Sequence, residues 1–263
     1  MGISIACVDA FTERAFAGNP AAVCVMDGPK DAVWMQQVAA EMNLAETAFV
    51  VAEPGGFGLR WFTPTIEMDL CGHATLAAAH TLWTDRVVPE SESIQFSSRS
   101  GVLRASRRGS LIELDFPSEP ATQAPEPPGL REAVGVPLLW LGRNRMDYIV
   151  EIAEAQQLRS LAPDLEAIEQ LDARGLIVTC KGDGTEYDFL SRFFAPQAGI
   201  PEDPVTGSAH CCLAPFWAAR LKRQELVGFQ ASPRGGVVRV RMGDSRVYLG
   251  GHAVTVYRGT FLA

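Results

Sequence analysis

Two helix starts of one design constrain this chain more than any other feature of its sequence. "RWFTP" (Arg60 to Pro64) leads to a Gly-His-Ala start at Gly72, and "RFFAP" (Arg192 to Pro196) leads to a Gly-Ser-Ala start at Gly207. The gaps from proline to glycine are eight and eleven residues. The run after Gly72, "ATLAAAHTLW", is apolar almost all round, so that helix should be buried. With the order of elements around them, the two starts point to an internal duplication. The expected fold class is α+β: two pseudo-symmetric lobes, each a barrel-like, mostly antiparallel sheet around a central helix. A helix start offers free N–H groups and a partial positive charge, so the pair would suit a carboxylate, in a cleft between the lobes.

The surrounding elements follow from periodicity. "GISIACVDAF" and "NPAAVCVMD" read as strands, the second entered through the turn-like Gly18-Asn19-Pro20. "DAVWMQQVAAEMN" has helical spacing, "TAFVVAE" and "GLRWFTP" read as strands, and "SIQFSS", "GVLRASRR" and "LIELDFP" form a meander. The second half repeats the order: "MDYIVEIA", a helical patch near "DLEAIEQLD", strands "GLIVTCKG" and "YDFLSRFF", the helix "SAHCCLAPFWAARL", then four strands. Pro215 inside that helix predicts a kink or an early end. Five prolines in the twelve residues Pro117 to Pro128 suit neither a helix nor a central strand. Residues 1–116 are therefore expected as an N-terminal lobe, 117–128 as a Pro-rich linker and 129–263 as a C-terminal lobe whose last strand can cross back to the first. A long surface loop within one domain is the other reading of 117–128.

Charge and cysteines narrow the function. Lys+Arg 23 against Asp+Glu 31 leaves a net charge of −8, which argues against a nucleic-acid partner but not against a small anionic substrate at a locally positive site. No apolar run suits a signal peptide or a membrane span, so the expectation is a cytoplasmic protein with reduced thiols.

Cys71, just before the first helix start, is placed either as a reactive thiol or as an ordinary core cysteine. His73, in the first turn, suits a neutral ring donating to a substrate, or local hydrogen bonding, because a helix N-terminus disfavours imidazolium. Cys71-x-His73 and His210-Cys211 resemble metal ligands, but neither has paired zinc-site spacing, so no metal is expected. Glu46, in "EMNLAETAFV", begins an apolar strand and is a candidate acid/base, or else a surface turn residue. In "PEDPVTGSAH", Asp203 and Ser208 could orient or donate to a substrate, or could simply cap the helix. There is no G-x-G-x-x-G, phosphate loop or G-x-S-x-G elbow, so no nucleotide cofactor is signalled.

Taken together, "VDAFTERAFAGNPAAV", "NLAETAFV", "RWFTPTIEMDLCGHATLAAA", "EDPVTGSAH" and "VYLGGHAVTVYRG" resemble the PhzF family of phenazine-biosynthesis-like isomerases, in order from residue 8 to residue 259. The resemblance implies the diaminopimelate-epimerase-like fold, a homodimer and cofactor-free proton transfer on a small carboxylate-bearing substrate, as in 2,3-dihydro-3-hydroxyanthranilate isomerisation. It implies Glu46 as the acid/base, His73, Asp203 and Ser208 as groups that bind and polarise substrate, and the backbone at Gly72 and Gly207 as a carboxylate cradle. Racemases of related fold use two thiols, one at each helix start. Cys71 stands at the first such position, but Thr206 stands at the second, and a threonine hydroxyl cannot replace a thiol poised near neutral pH. An amino-acid racemase using Cys71 with a non-thiol partner is the alternative.

Overall fold

The computed structural model describes residues 2–184 and 186–262. They fall into two compact units, Met1–Phe116 with Gly250–Ala263, and Pro117–Leu249.

The first unit opens with β1 (Ile3–Ala10) antiparallel to β2 (Asn19–Met26). Helix α1 (Ala32–Met42) starts where the Asp31 carboxylate accepts from Trp34 N–H at 2.8 Å, and stops where Asn43 turns left-handed at φ 49°. It carries the chain across to β3 (Glu46–Glu53), parallel to β2, and β4 (Gly56–Phe62) then returns antiparallel to β3. After the two-residue β5 (Glu67–Met68), helix α2 (Gly72–Thr84) crosses to β6 (Ile94–Ser98), parallel to β4. β7 (Gly101–Arg108) and β8 (Leu111–Pro117) complete the meander.

The second unit repeats this order. β9 (Thr122–Gln123) and the short α3 (Leu130–Val134) precede β10 (Leu138–Arg143) and β11 (Asp147–Ile152), which are antiparallel. Two five-residue helices, α4 (Ala155–Arg159) and α5 (Leu165–Glu169), cross to β12 (Gly175–Lys181), parallel to β11. β13 (Phe189–Phe194) is antiparallel to β12, and α6 (Gly207–Leu221) crosses to β14 (Glu225–Gln230), parallel to β13 and antiparallel to β15 (Gly236–Met242). Parallel neighbours need a crossover, so the helices dictate where each sheet departs from the antiparallel pattern. The chain leaves this unit within β16 (Arg246–Gly251), and β17 (Ala253–Phe261) pairs antiparallel with β1.

Each unit wraps its sheet around one helix. α2 packs on β1, β2, β3 and β17, and its Ala74, Ala77, Ala78 and Ala79 are buried, small enough to let several strands approach together. Leu76 is fully buried there, so Leu76→Ala should destabilise the protein by about 2–5 kcal/mol. In the second unit α6 packs on β14 and β15, and Trp217 donates from Nε1 to Thr179 Oγ1 at 2.9 Å.

Two expectations change in detail. The Pro-rich stretch falls within the second unit, where Thr122 and Gln123 pair with Arg143 and Gly142 of β10. Helix α6 runs through Pro215 without ending. A proline has no N–H to offer the carbonyl four residues back, at Cys211, and Glu119 N–H fills that vacancy at 3.1 Å. All six cysteines are buried free thiols, and no helix among the described residues is long and apolar enough to cross a membrane.

Candidate active site

The two helix starts match residue by residue. Cys71 and Thr206 are the N-caps, both with extended backbone (φ −143° and −110°) and neither with a capping side chain. Gly72 and Gly207, His73 and Ser208, and Ala74 and Ala209 follow in parallel. In each start the fourth helical side chain braces the N-cap carbonyl: Thr75 Oγ1 donates to Cys71 O at 2.5 Å, and His210 Nδ1 lies 2.8 Å from Thr206 O.

The approaches match as well. Arg60 makes two hydrogen bonds to Glu67 at 2.6 and 2.7 Å, and Arg192 makes two to Glu202 at 2.7 and 2.8 Å. Both glutamates stand five residues before their glycine. The three extra residues of the second approach therefore lie between Pro196 and Glu202, where the 3-10 turn Pro196–Ala198 accommodates them. Bidentate arginine–carboxylate pairs fix geometry as well as charge, so each fork anchors the segment that leads into its helix.

In the first unit Glu46, His73 and Cys71 come together. Glu46 is 6% exposed and His73 4% exposed, and Glu46 Oε2 lies 3.0 Å from His73 Nε2. That contact is close but off the line of a directed hydrogen bond. At the other edge of the ring, Nδ1 lies 3.1 Å from Asn19 Nδ2 and 3.6 Å from Cys71 Sγ. Donor atoms of Glu46, Cys71 and His73 all lie within 4.8 Å of one another. Cys71-x-His73 lacked a third ligand in sequence, and the fold supplies one from β3.

Electrostatics separates the roles. Burial, assisted by the Glu46 carboxylate, pushes the Cys71 thiol up, so it is protonated at neutral pH and unsuited to act as a base. For His73, burial is the largest influence and lowers its proton affinity, but the Glu46 carboxylate, with the hydrogen-bonding contacts to Glu46 and the Cys71 sulfur, outweighs it and raises the ring well above an ordinary histidine. The neutral ring expected from the helix start is thus opposed by a carboxylate that the local sequence did not place there.

The second unit has no such cluster among its described residues. Asp203 Oδ2 accepts from Thr206 Oγ1 at 2.5 Å, and Gln230 bridges the same turn, donating to Asp203 O at 2.7 Å and accepting from Thr206 N–H at 2.8 Å. Ser208 Oγ accepts from Arg174 Nη2 at 2.9 Å, which leaves its hydroxyl proton free to donate elsewhere. Arg174 is itself forked onto Asp147, which is fully buried, at 2.9 and 2.6 Å.

Sequence reasoning missed Asn19, Arg174 and Asp147. Asn19 stands in the turn-like Gly18-Asn19-Pro20, yet it is fully buried at the start of β2. Its signal was an amide opening an otherwise apolar strand. Arg174 and Asp147 gave none, because their meeting depends on the parallel register that sets Asp147 opposite Gly175.

Comparison with known proteins agrees with this architecture. The PhzC-PhzF family, described as phenazine biosynthesis-like protein, matches residues 8–259. An uncharacterized isomerase of Halalkalibacterium halodurans is 53% identical over 97% of both chains. The crystal structure of a PhzF-family phenazine biosynthesis protein from Enterococcus faecalis superposes with TM-score 0.96 at 40% identity, covering 100% of both chains. A hydroxyproline epimerase from Agrobacterium vitis, crystallised with trans-4-hydroxy-L-proline, shares the fold with TM-score 0.66 at 10% identity, over 98% of this chain and 92% of its own. The fold is α+β and diaminopimelate-epimerase-like, and the chain belongs to the PhzC-PhzF family of phenazine biosynthesis-like proteins.

Proposed function

We propose that this protein is a cofactor-independent isomerase that moves a proton between carbons of a small carboxylate- or amino-bearing substrate, of the 2,3-dihydro-3-hydroxyanthranilate isomerase type. The supporting observation is the Glu46–His73 pair: a buried carboxylate in contact with a basic imidazole and locked by no arginine fork. The Glu46 carboxylate takes the proton of an acidic C–H bond, and the bonding pair delocalises into the adjacent unsaturated system. Glu46 then returns the proton to a second carbon. His73 donates to the oxygen or nitrogen on which charge develops. The N–H groups at the start of α2 hold a substrate carboxylate, with Gly72 allowing close approach.

The roles that the family resemblance gives Asp203, Gly207 and Ser208 in substrate binding belong to the same proposal. The free hydroxyl proton of Ser208 supports its part. The homodimer is proposed on the same resemblance and is checked by light scattering.

The racemase alternative needs Cys71 as a base. The raised thiol and the threonine at the matching second position both weigh against it. Proton NMR of small amino acids and amino-cyclohexadiene carboxylates in deuterated water tests the proposal. The expected result is a migrating, solvent-exchanged C–H in a conjugated substrate. Exchange confined to the α-hydrogen of a saturated amino acid would favour the racemase.

A further inference from the structure

We propose that Glu46, Cys71 and His73 also form a binding site for a thiophilic divalent cation of the Zn2+ class, and that its occupation blocks proton transfer. The inhibitory half rests on Glu46 being the base. The binding half does not.

The donor set is one carboxylate oxygen, one thiol sulfur and one imidazole nitrogen, a combination that suits zinc with a fourth position left open. The three residues are the one group of its kind among the described residues. Bonds of about 2.0–2.3 Å around a tetrahedral ion imply donor–donor edges of about 3.3–3.7 Å. The observed donors lie within 4.8 Å, so rotations of roughly an ångström at their tips would close the site. All three side chains are already buried, so an incoming cation meets a desolvated carboxylate that its charge would neutralise. The ion displaces one proton from the thiol and, where the ring is charged, one from His73, so binding releases protons and weakens as pH falls.

His73 can bind an ion through only one nitrogen. Nε2 lies 3.0 Å from Glu46, while Nδ1 lies 3.1 Å from Asn19 and 3.6 Å from Cys71 Sγ, so ligation through Nε2 requires the Cys71 side chain to turn toward the Glu46 edge of the ring. Turned over, the Asn19 amide presents its oxygen to Nδ1–H, the outer contact that orients a metal-bound imidazole and fixes its tautomer. Cys211 and Cys212 are the competing thiols. They are consecutive on α6 and point in different directions, so they do not converge on one ion.

The test is a Co2+ titration of the full chain, followed by absorbance. The expected result is a one-to-one complex with a thiolate-to-cobalt band in the near ultraviolet and the intense visible bands of four-coordination. Cys71→Ala should lose the ultraviolet band, and Asn19→Ala should bind about 10- to 100-fold more weakly. Circular dichroism confirms that each variant is folded. Absence of the ultraviolet band, or its persistence in Cys71→Ala, overturns the site. Zn2+ should displace Co2+ and abolish Glu46-dependent exchange. A Cys71-dependent cobalt band combined with Zn2+-insensitive exchange would overturn the inhibitory half, and with it the assignment of Glu46 as base, while leaving the ion site standing.

Discussion

The two helix starts share a backbone plan and differ in what they do with a buried carboxylate. In the first unit Glu46 opens β3 and touches His73. The matching position in the second unit, counted from the arginines of the repeated motif, is Gly175. Phe49 pairs with Arg60 and Val178 with Arg192, and three residues earlier stand Glu46 and Gly175. A side chain at Gly175 has no room, since its Cβ would fall 2.6 Å from Phe193 and 2.7 Å from the Phe194 carbonyl. A fully buried carboxylate of the second unit sits one strand over, at Asp147, and is forked by Arg174. A carboxylate held by a bidentate guanidinium is a fixed structural charge. A carboxylate beside an imidazole can exchange protons. The two units share one backbone plan, and under the proposed function the side chains around it serve acid/base chemistry in one and a rigid polar brace in the other.

The matched positions allow direct tests of that division. His73→Ala should lower turnover by about 100-fold with little change in KM, because the ring acts on charge that develops in the transition state. Ser208→Ala, at the same helical position, should cost roughly tenfold, mostly in KM, as expected for one lost hydrogen bond. Steady-state kinetics on both variants checks the split, and equal effects on kcat would erase the proposed asymmetry.

Stability offers a second contrast. Burial lowers His210 to about 4, so the folded state holds it neutral while the unfolded chain protonates near the ordinary 6.5. The unfolded state therefore binds more protons in that window, and stability is present above pH 6.5 and lost as pH falls toward 4. The loss amounts to about 3 kcal/mol from this residue. His80 is likewise lowered to about 4, mainly by burial, and adds a loss of the same sign. Denaturant titrations from pH 7 to pH 4 should show the slope, reduced but not abolished in His210→Gln. Thr75→Val, at the equivalent brace in the first unit, should lower stability by about 1 kcal/mol at every pH. The smallest effect is expected at Cys71→Ser, whose activity should stay within a few-fold of the parent. A loss of two orders of magnitude there would return the racemase reading.

Much of this was legible in the residues. Alternating strands, the apolar α2 and the Gly-started helices all announce themselves locally, and Glu46 and His73 came from recognisable motifs. The Arg–Glu forks were hidden because three residues inserted before Glu202 break the spacing that Arg60 and Glu67 share. The helices α3, α4 and α5 span five residues each, too few to show a period. Pro215 misled because its rule concerns the helix alone, whereas the freed carbonyl found its partner in Glu119, far away in sequence. Asn19 could not be placed beside His73 without knowing that α2 packs on β2.

The central claim is that the proton travels on Glu46 and not on Cys71. It is tested most directly by following deuterium entry into a turned-over substrate, in deuterated water, with the parent, Glu46→Gln and Cys71→Ser proteins side by side. The account predicts exchange in the parent and in Cys71→Ser, and a loss of about 10²- to 10⁴-fold in Glu46→Gln. Exchange that survives in Glu46→Gln and vanishes in Cys71→Ser would contradict it.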